Sequence, residues 1–153
     1  MQTRLDSELV RAASSEQDLT LMVIRIANID WTTEVAKQIS SHIIETVKFA
    51  DFVFNYKEDG CTAIFQGMDL NQALEEAENL HTDIIAMLAK YGMYNTVNIG
   101  LSARSLRLIS ASRLANEAEQ ALSHAVSDRE SPIVAFKVNP EKYRTFLASE
   151  NAE

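Results

Sequence analysis

The sequence feature that most constrains the fold is a pair of β-forming runs separated by a short polar tip. Residues 52–56 and 61–65 are rich in aromatic and β-branched side chains. Asp59-Gly60 in the tip can close a tight turn, because glycine accepts a positive φ. Both runs are apolar at nearly every position, which is typical of central strands covered on both faces. Residues 51–66 therefore predict a buried hairpin whose exposed tip is a suitable place for function.

Hydrophobic periodicity elsewhere predicts helices and strands in alternation. Helices are expected at 3–15, 31–49, about 70–92, 111–125 and, after Pro140, 140–148; strands are expected at 19–27, 94–102 and 133–136. Asp69 and Gln72 have the spacing of a capping box, and Ser110 is a suitable N-cap. This order predicts an α+β fold with a ferredoxin-like βαββαβ core, in which helices flank a mainly antiparallel sheet. We expect one domain over 1–153 with its core at 19–137.

Composition restricts the class of partner. The chain has 153 residues and a net charge of −8 from 14 basic and 22 acidic residues, which disfavours nucleic acid because phosphate binding depends on Lys and Arg. Cys61 is the single cysteine, so no intrachain disulfide can form, as is usual in a reducing compartment. No apolar run reaches the roughly 18 residues that span a bilayer. We expect a cytoplasmic chain without membrane insertion.

The hairpin resembles the signature of the GGDEF family, the diguanylate cyclase domains. That pattern is Arg-x-x-Asp, five residues, Gly-Gly-Asp-Glu-Phe and an apolar strand. Here Lys48 and Asp51 occupy the first part, and the signature positions hold Lys57, Glu58, Asp59, Gly60 and Cys61. Residues 4–9, 96–101 and 114–125 also resemble, in order and spacing, the family's first helix, its Thr-Val-Ser-Ile-Gly strand and a later helix.

The resemblance implies a degenerate metal site. Members of the family hold divalent metal with an Asp at the end of the first strand and with the signature hairpin, because triphosphate chemistry needs hard carboxylate ligands. The two Asp positions of that strand are Arg25 and Ala27 here, and the signature Glu is Gly60. Arg25 would place a cation where a metal should bind. We therefore expect no metal, no cofactor and no catalytic residue.

The nucleotide-binding positions also depart from the family pattern. Lys57 and Glu58 replace the turn glycines that let backbone N–H groups approach phosphate, and the family's phosphate-binding Lys corresponds to Val126. The segment at 30–34 is shorter than the family's guanine-binding segment. In the inhibitory site, Lys48 keeps a charge beside Asp51 but cannot form the planar contact of an arginine.

Simpler interpretations apply to the same residues. Asp59 can be a turn residue, Arg25 can pair with a nearby carboxylate, and Lys48 can be a solvated cation at a helix end. Cys61 is more typical of a small buried hydrophobe than of a nucleophile. The three histidines lie on different predicted helices without a metal-ligand spacing, which is typical of surface residues.

These observations lead to one hypothesis and two alternatives. The hypothesis is a catalytically inactive GGDEF-like domain that acts in bacterial signalling of the cyclic di-GMP type. Its role would be to regulate or bind a protein partner or an adjacent domain of a longer protein. The alternatives are a nucleotide-binding sensor for GTP or cyclic di-GMP, and a diverged active cyclase built around Asp51, Glu58 and Asp59. The sequence leaves open both weak nucleotide binding and the formation of a homodimer.

Overall fold

A sheet of five strands forms the centre of the computed structural model, which describes residues 1–136. The strands are β1 (Leu19–Ile26), β2 (Val53–Tyr56), β3 (Gly60–Gln66), β4 (Val97–Ala103) and β5 (Ile133–Phe136). Their order is β2-β3-β1-β4-β5, and every neighbouring pair is antiparallel except β4 and β5. This confirms the predicted α+β class and its mainly antiparallel sheet. The helix predicted at 140–148 lies outside the described residues.

Helices cover both faces of the sheet. They are α1 (Gln2–Ser14), α2 (Glu34–Val47), α3 (Leu70–Lys90) and α4 (Ala111–Ser127). Side chains of β1 alternate between two cores: Met22, Ile24 and Ile26 pack with α2 and α3, whereas Leu19, Leu21 and Val23 pack with α1 and α4. A strand covered on both faces must be apolar throughout, which explains the uninterrupted run in β1. None of the helices within residues 1–136 combines the length and apolar character needed to cross a bilayer.

The helix caps explain where the helices begin and end. Asp69 and Gln72 form the predicted capping box of α3, and the Ser110 hydroxyl accepts the Arg113 N–H at the start of α4. The predicted helix at 31–49 is too long at both ends. Asp30 accepts the N–H and hydroxyl of Thr32 in a turn, and Thr33 is the N-cap, so α2 begins at Glu34. Lys48 ends it in the left-handed conformation, with a φ of 78°.

The first arm of the hairpin differs from the prediction of two central strands. β3 is buried along almost its whole length, but β2 is an edge strand whose side chains are half-buried or exposed. The run at 52–56 is apolar because its aromatic rings pack beside α1 and α4 from one side, and Phe52 belongs to a 3₁₀ turn, Ala50–Phe52, that precedes the strand. A half-buried edge strand can therefore have the same composition as a central one.

Helix α4 lies directly on β4 at Gly100. A Cβ at this glycine would be 2.3 Å from the Leu122 nitrogen and 2.6 Å from the Ala118 carbonyl oxygen. Main-chain atoms cannot rotate away as a flexible side chain can, so any side chain here would separate the helix from the strand.

We expect Gly100→Ala to lower the free energy of unfolding by about 3 kcal/mol, the upper part of the usual range for overpacking. The matched control is Gly92→Ala, where a Cβ would meet nothing within 4 Å but φ is 70°; left-handed strain alone costs about 1 kcal/mol. Chemical denaturation of both variants measures the difference. A loss at Gly100 no larger than at Gly92 would contradict the close approach.

Candidate functional site

The hairpin tip, residues 57–59, lies against the end of β1. The Ile26 N–H donates to the Asp59 carbonyl oxygen at 2.8 Å, and the Ala27 N–H donates to the Thr96 carbonyl oxygen at 2.9 Å. Arg25 pairs with Gly60 on β3 and with Asn98 on β4. The tip, the end of β1 and the start of β4 thus meet at one end of the sheet.

An ion pair joins the strand end to the tip. The Arg25 Nε lies 3.2 Å from the Asp59 Oδ2, and the two side chains are 33% and 24% exposed. The alternative that Arg25 pairs with a nearby carboxylate is therefore confirmed. Asp59 has a structural partner of opposite charge within its own sheet.

Further contacts hold the tip in place. The Trp31 Nε1–H donates to the Glu58 carbonyl oxygen at 3.0 Å, and the Lys57 ammonium lies 5.4 Å from the centre of the Tyr56 ring. Lys57 and Glu58 are exposed, as expected of the hairpin tip, whereas Asp59 is only partly exposed and ion-paired. The contact of Trp31 with Glu58 joins residues that are 27 positions apart, so local patterns could not reveal it.

Gly60 is required for a reason other than the one expected. The positive φ of the turn is at Lys57, with 51°, and not at Gly60. A Cβ at Gly60 would instead lie 2.7 Å from the Ile24 carbonyl oxygen and 3.0 Å from that of Tyr56. The glycine lets β3 begin in close contact with both neighbouring strands.

Tyr56 links the hairpin to α4. Its hydroxyl donates to the Glu119 Oε2 at 2.7 Å. Burial, the hydrogen bond to Glu119 and the negative charges of Glu119 and Asp59 together raise the pKa of Tyr56 to about 12, and burial is the largest of these causes. Sequence reasoning missed Glu119, because 63 residues separate it from Tyr56.

Cys61 is a core residue. It is buried within the cluster that β1 and β3 form with α2 and α3, and burial raises the pKa of its thiol to about 12. The thiol is therefore protonated at neutral pH, and its behaviour is that of the small hydrophobe expected from the sequence.

The other positions singled out in the sequence lie elsewhere. Lys48 is the exposed C-cap of α2, Asp51 is exposed in the 3₁₀ turn, and Val126 is exposed in the last turn of α4. Ala27 follows β1 and is half-buried. Within residues 1–136, no hydrogen bond or ion pair joins Lys48, Asp51 or Val126 to the tip.

The positions that correspond, by resemblance to the family, to ligands of a divalent metal contain few carboxylates. Among Arg25, Ala27, Asp59 and Gly60, a carboxylate is supplied by Asp59 alone, and a guanidinium already contacts it. No group of three or more His, Cys, Asp or Glu side chains in the described part of the chain is arranged to hold a metal ion. His42 instead contacts Asp83 at 2.8 Å, and His81 contacts the Val97 carbonyl oxygen.

Solved GGDEF domains have a fold similar to that of this chain. The GGDEF domain of DgcB from Caulobacter crescentus, in complex with c-di-GMP, superposes with a TM-score of 0.71 at 15% identity over 90% of this chain and 86% of that one. The active GGEEF domain of a diguanylate cyclase from Vibrio cholerae gives 0.65 at 13% identity over 90% and 95%. The chain therefore has the fold of a GGDEF domain, as the resemblance implied.

Sequence comparison adds one relative. An uncharacterized protein from Treponema pallidum is 37% identical over 76 residues, which are 50% of this chain and 41% of the relative. The match therefore spans less than half of the relative's length. No family model matches the chain.

We expect Gly60→Val to lower the free energy of unfolding by about 1–3 kcal/mol, since its side chain would collide with two carbonyl oxygens. Asp59→Ala removes a partly exposed ion pair and should cost less than about 1 kcal/mol, and Lys57→Ala and Glu58→Ala should be nearly neutral. Thermal melts of the four variants test this order. A charge variant as damaging as Gly60→Val would show that the tip is covered by another element.

Ionisation of Tyr56 should destabilise the fold at alkaline pH. Its pKa rises from 10.0 to about 12 on folding, so its contribution is complete below pH 10 and disappears as pH rises through 12. Tyr56→Phe should flatten the decline of unfolding free energy in this window, with the contribution of Cys61 retained. The control is Tyr94→Phe, at a tyrosine that is 84% exposed. Equal slopes in the wild type and Tyr56→Phe would contradict the shift.

Proposed function

We propose that this chain is a catalytically inactive GGDEF-like domain that serves as a regulatory or protein-interaction module in cyclic di-GMP-type signalling. The observation that carries the proposal is the ion pair between Arg25 and Asp59. It places a fixed positive charge beside the Asp59 carboxylate, which, by resemblance to the family, would contribute to a metal site.

Electrostatics supports the loss of metal binding. A unit positive charge and a divalent ion 4 Å apart repel by about 8 kcal/mol at an effective dielectric of about 20, and the partial exposure of Arg25 reduces that figure through solvent screening. Ala27 and Gly60 supply no side-chain oxygen to compensate. A magnesium ion would have to displace the guanidinium and would then gain one carboxylate.

Two features of the tip favour a structural role over phosphate binding. The carbonyl oxygens of Glu58 and Asp59 accept hydrogen bonds from Trp31 and Ile26, so these contacts fix the turn. The exposed Glu58 side chain adds a negative charge where a triphosphate would approach. Both features favour a structural role for the hairpin.

A signalling role is supported by the fold. The similar domain of DgcB was solved in complex with c-di-GMP, and the FimX GGDEF domain from Pseudomonas aeruginosa has a TM-score of 0.65 at 14% identity. By analogy with these structures, we infer a role in cyclic di-GMP signalling, but not diguanylate cyclase activity. The net charge of −8 favours a protein partner or an adjacent domain over nucleic acid.

We expect the protein to make no cyclic di-GMP from GTP with magnesium or manganese, as measured by mass spectrometry. The active domain from Vibrio cholerae, assayed in parallel, is the positive control. Product that disappears in Asp59→Ala would overturn the proposal in favour of a diverged cyclase. Calorimetry with GTP and with cyclic di-GMP tests the remaining alternative, since binding without turnover would identify a nucleotide sensor.

A further inference from the structure

The outer side of β2 is an unpaired strand edge. β2 lies at one end of the strand order, and within residues 1–136 only β3 pairs with it. The strand contains neither a proline nor a charged residue, which are two common devices that protect an exposed edge from further pairing. Asn55 is exposed, and the other side chains of the strand are half-buried. This edge can therefore accept another strand.

The neighbouring strands determine which residues of β2 bond inward. The Ile26 N–H donates to the Asp59 carbonyl oxygen, and successive residues of an antiparallel strand direct their main-chain groups alternately to its two sides. Gly60 follows Asp59 and therefore faces β2, where Tyr56 is its partner. Tyr56, and with it every second residue of β2, therefore bonds inward to β3.

Val53 and Asn55, the alternate residues of β2, direct their N–H and carbonyl groups outward. We propose that β2 of a second copy pairs with this edge in the antiparallel direction, with Phe54 of both copies on the two-fold axis. Val53 of each copy then lies opposite Asn55 of the other, and each such pair exchanges both main-chain hydrogen bonds. The same patch serves both copies, as two-fold symmetry requires. The two sheets join into one continuous sheet, whether or not the tip binds a nucleotide.

Aromatic side chains meet across the axis in this register. Phe54 and Tyr56 pack on the face of the sheet that α1 and α4 cover, and Phe52 extends the row. Phe54 faces its own copy, and Phe52 faces Tyr56 of the other copy. These pairs have no main-chain hydrogen bonds, so their side chains approach closely, and facing aromatic residues stabilise antiparallel strands. Association therefore removes more of these half-buried rings from water.

Charge complementarity selects this register. Asp51 and Lys57 flank the strand, and both are exposed. With Phe54 on the axis, Asp51 of each copy lies opposite Lys57 of the other. The smallest shift that keeps the hydrogen-bonding phase puts Asp51 opposite Asn55 in one direction and opposite Asp59 in the other. The ion pairs therefore form in the proposed register, where they offset part of the repulsion between copies that each carry a net charge of −8.

The first experiment tests pairing at the edge. Sedimentation velocity of the full chain over a concentration series measures the dissociation constant of the dimer. Asn55→Pro removes an outward N–H and leaves the pairing of β2 with β3 intact, so we expect it to raise this constant at least about tenfold. The matched Asn55→Thr keeps the N–H and should leave the constant unchanged, and circular dichroism verifies that each variant is folded. A wild type that stays monomeric throughout the series, or a dimer that Asn55→Pro leaves unchanged, would overturn the proposal.

The second experiment tests the register through exposed residues and does not depend on the proline variant. Asp51→Lys and Lys57→Asp each place like charges opposite one another, so each alone should raise the dissociation constant by about tenfold. In an equimolar mixture of the two, native mass spectrometry should detect mainly heterodimers, because each variant supplies the charge that the other lacks. In the control mixture of Glu58→Lys with Lys57→Asp, heterodimers should not predominate. A statistical distribution in the first mixture, or an excess of heterodimers in both, would overturn the proposal.

Discussion

The pairing of β1 with both β3 and β4 is the interaction on which the rest of the structure depends. β1 occupies the middle of the sheet, and side chains from its two faces pack in the two cores that the four helices cover. At two glycines, neighbouring elements of this arrangement come into close main-chain contact. Gly60 brings β3 against the carbonyl oxygen of Ile24, and Gly100 brings α4 onto β4. The hairpin tip inherits its position from this pairing, because Asp59 is bonded to β1 by its main chain and its side chain.

Local patterns predicted the elements well, because the forces that specify them are local. The capping box of α3 needs two residues three apart, and the apolar run of β1 needs continuous burial. Prediction was less accurate where a second element decides the outcome. The aromatic run of β2 is equally suited to an edge strand and to a central strand. Hydrogen bonds made by Asp30 and Thr33 place the start of α2 three residues later than predicted, and the hydrophobic pattern does not reveal them.

The candidate site shows the same division. The sequence predicted that the tip is the candidate site and anticipated a carboxylate partner for Arg25. It assigned the positive φ to Gly60, because Asp-Gly is a common turn pair, whereas the three-residue loop puts that conformation at Lys57. The bond from Tyr56 to Glu119 and that from Trp31 to Glu58 connect residues far apart in the chain. Such contacts follow from the topology and have no signature in a local window.

A guanidinium attached to the sheet has a consequence for how the tip responds to its surroundings. A dissociable cation occupies a site in proportion to its free concentration. Arg25, in contrast, is tethered beside Asp59, which corresponds to an effective concentration of roughly millimolar or more. The positive charge beside the Asp59 carboxylate is therefore constant and does not depend on the concentration of free divalent ions. Under the proposed function, we expect the tip to keep one shape when metal levels rise or fall, so that a protein partner would contact the same surface each time.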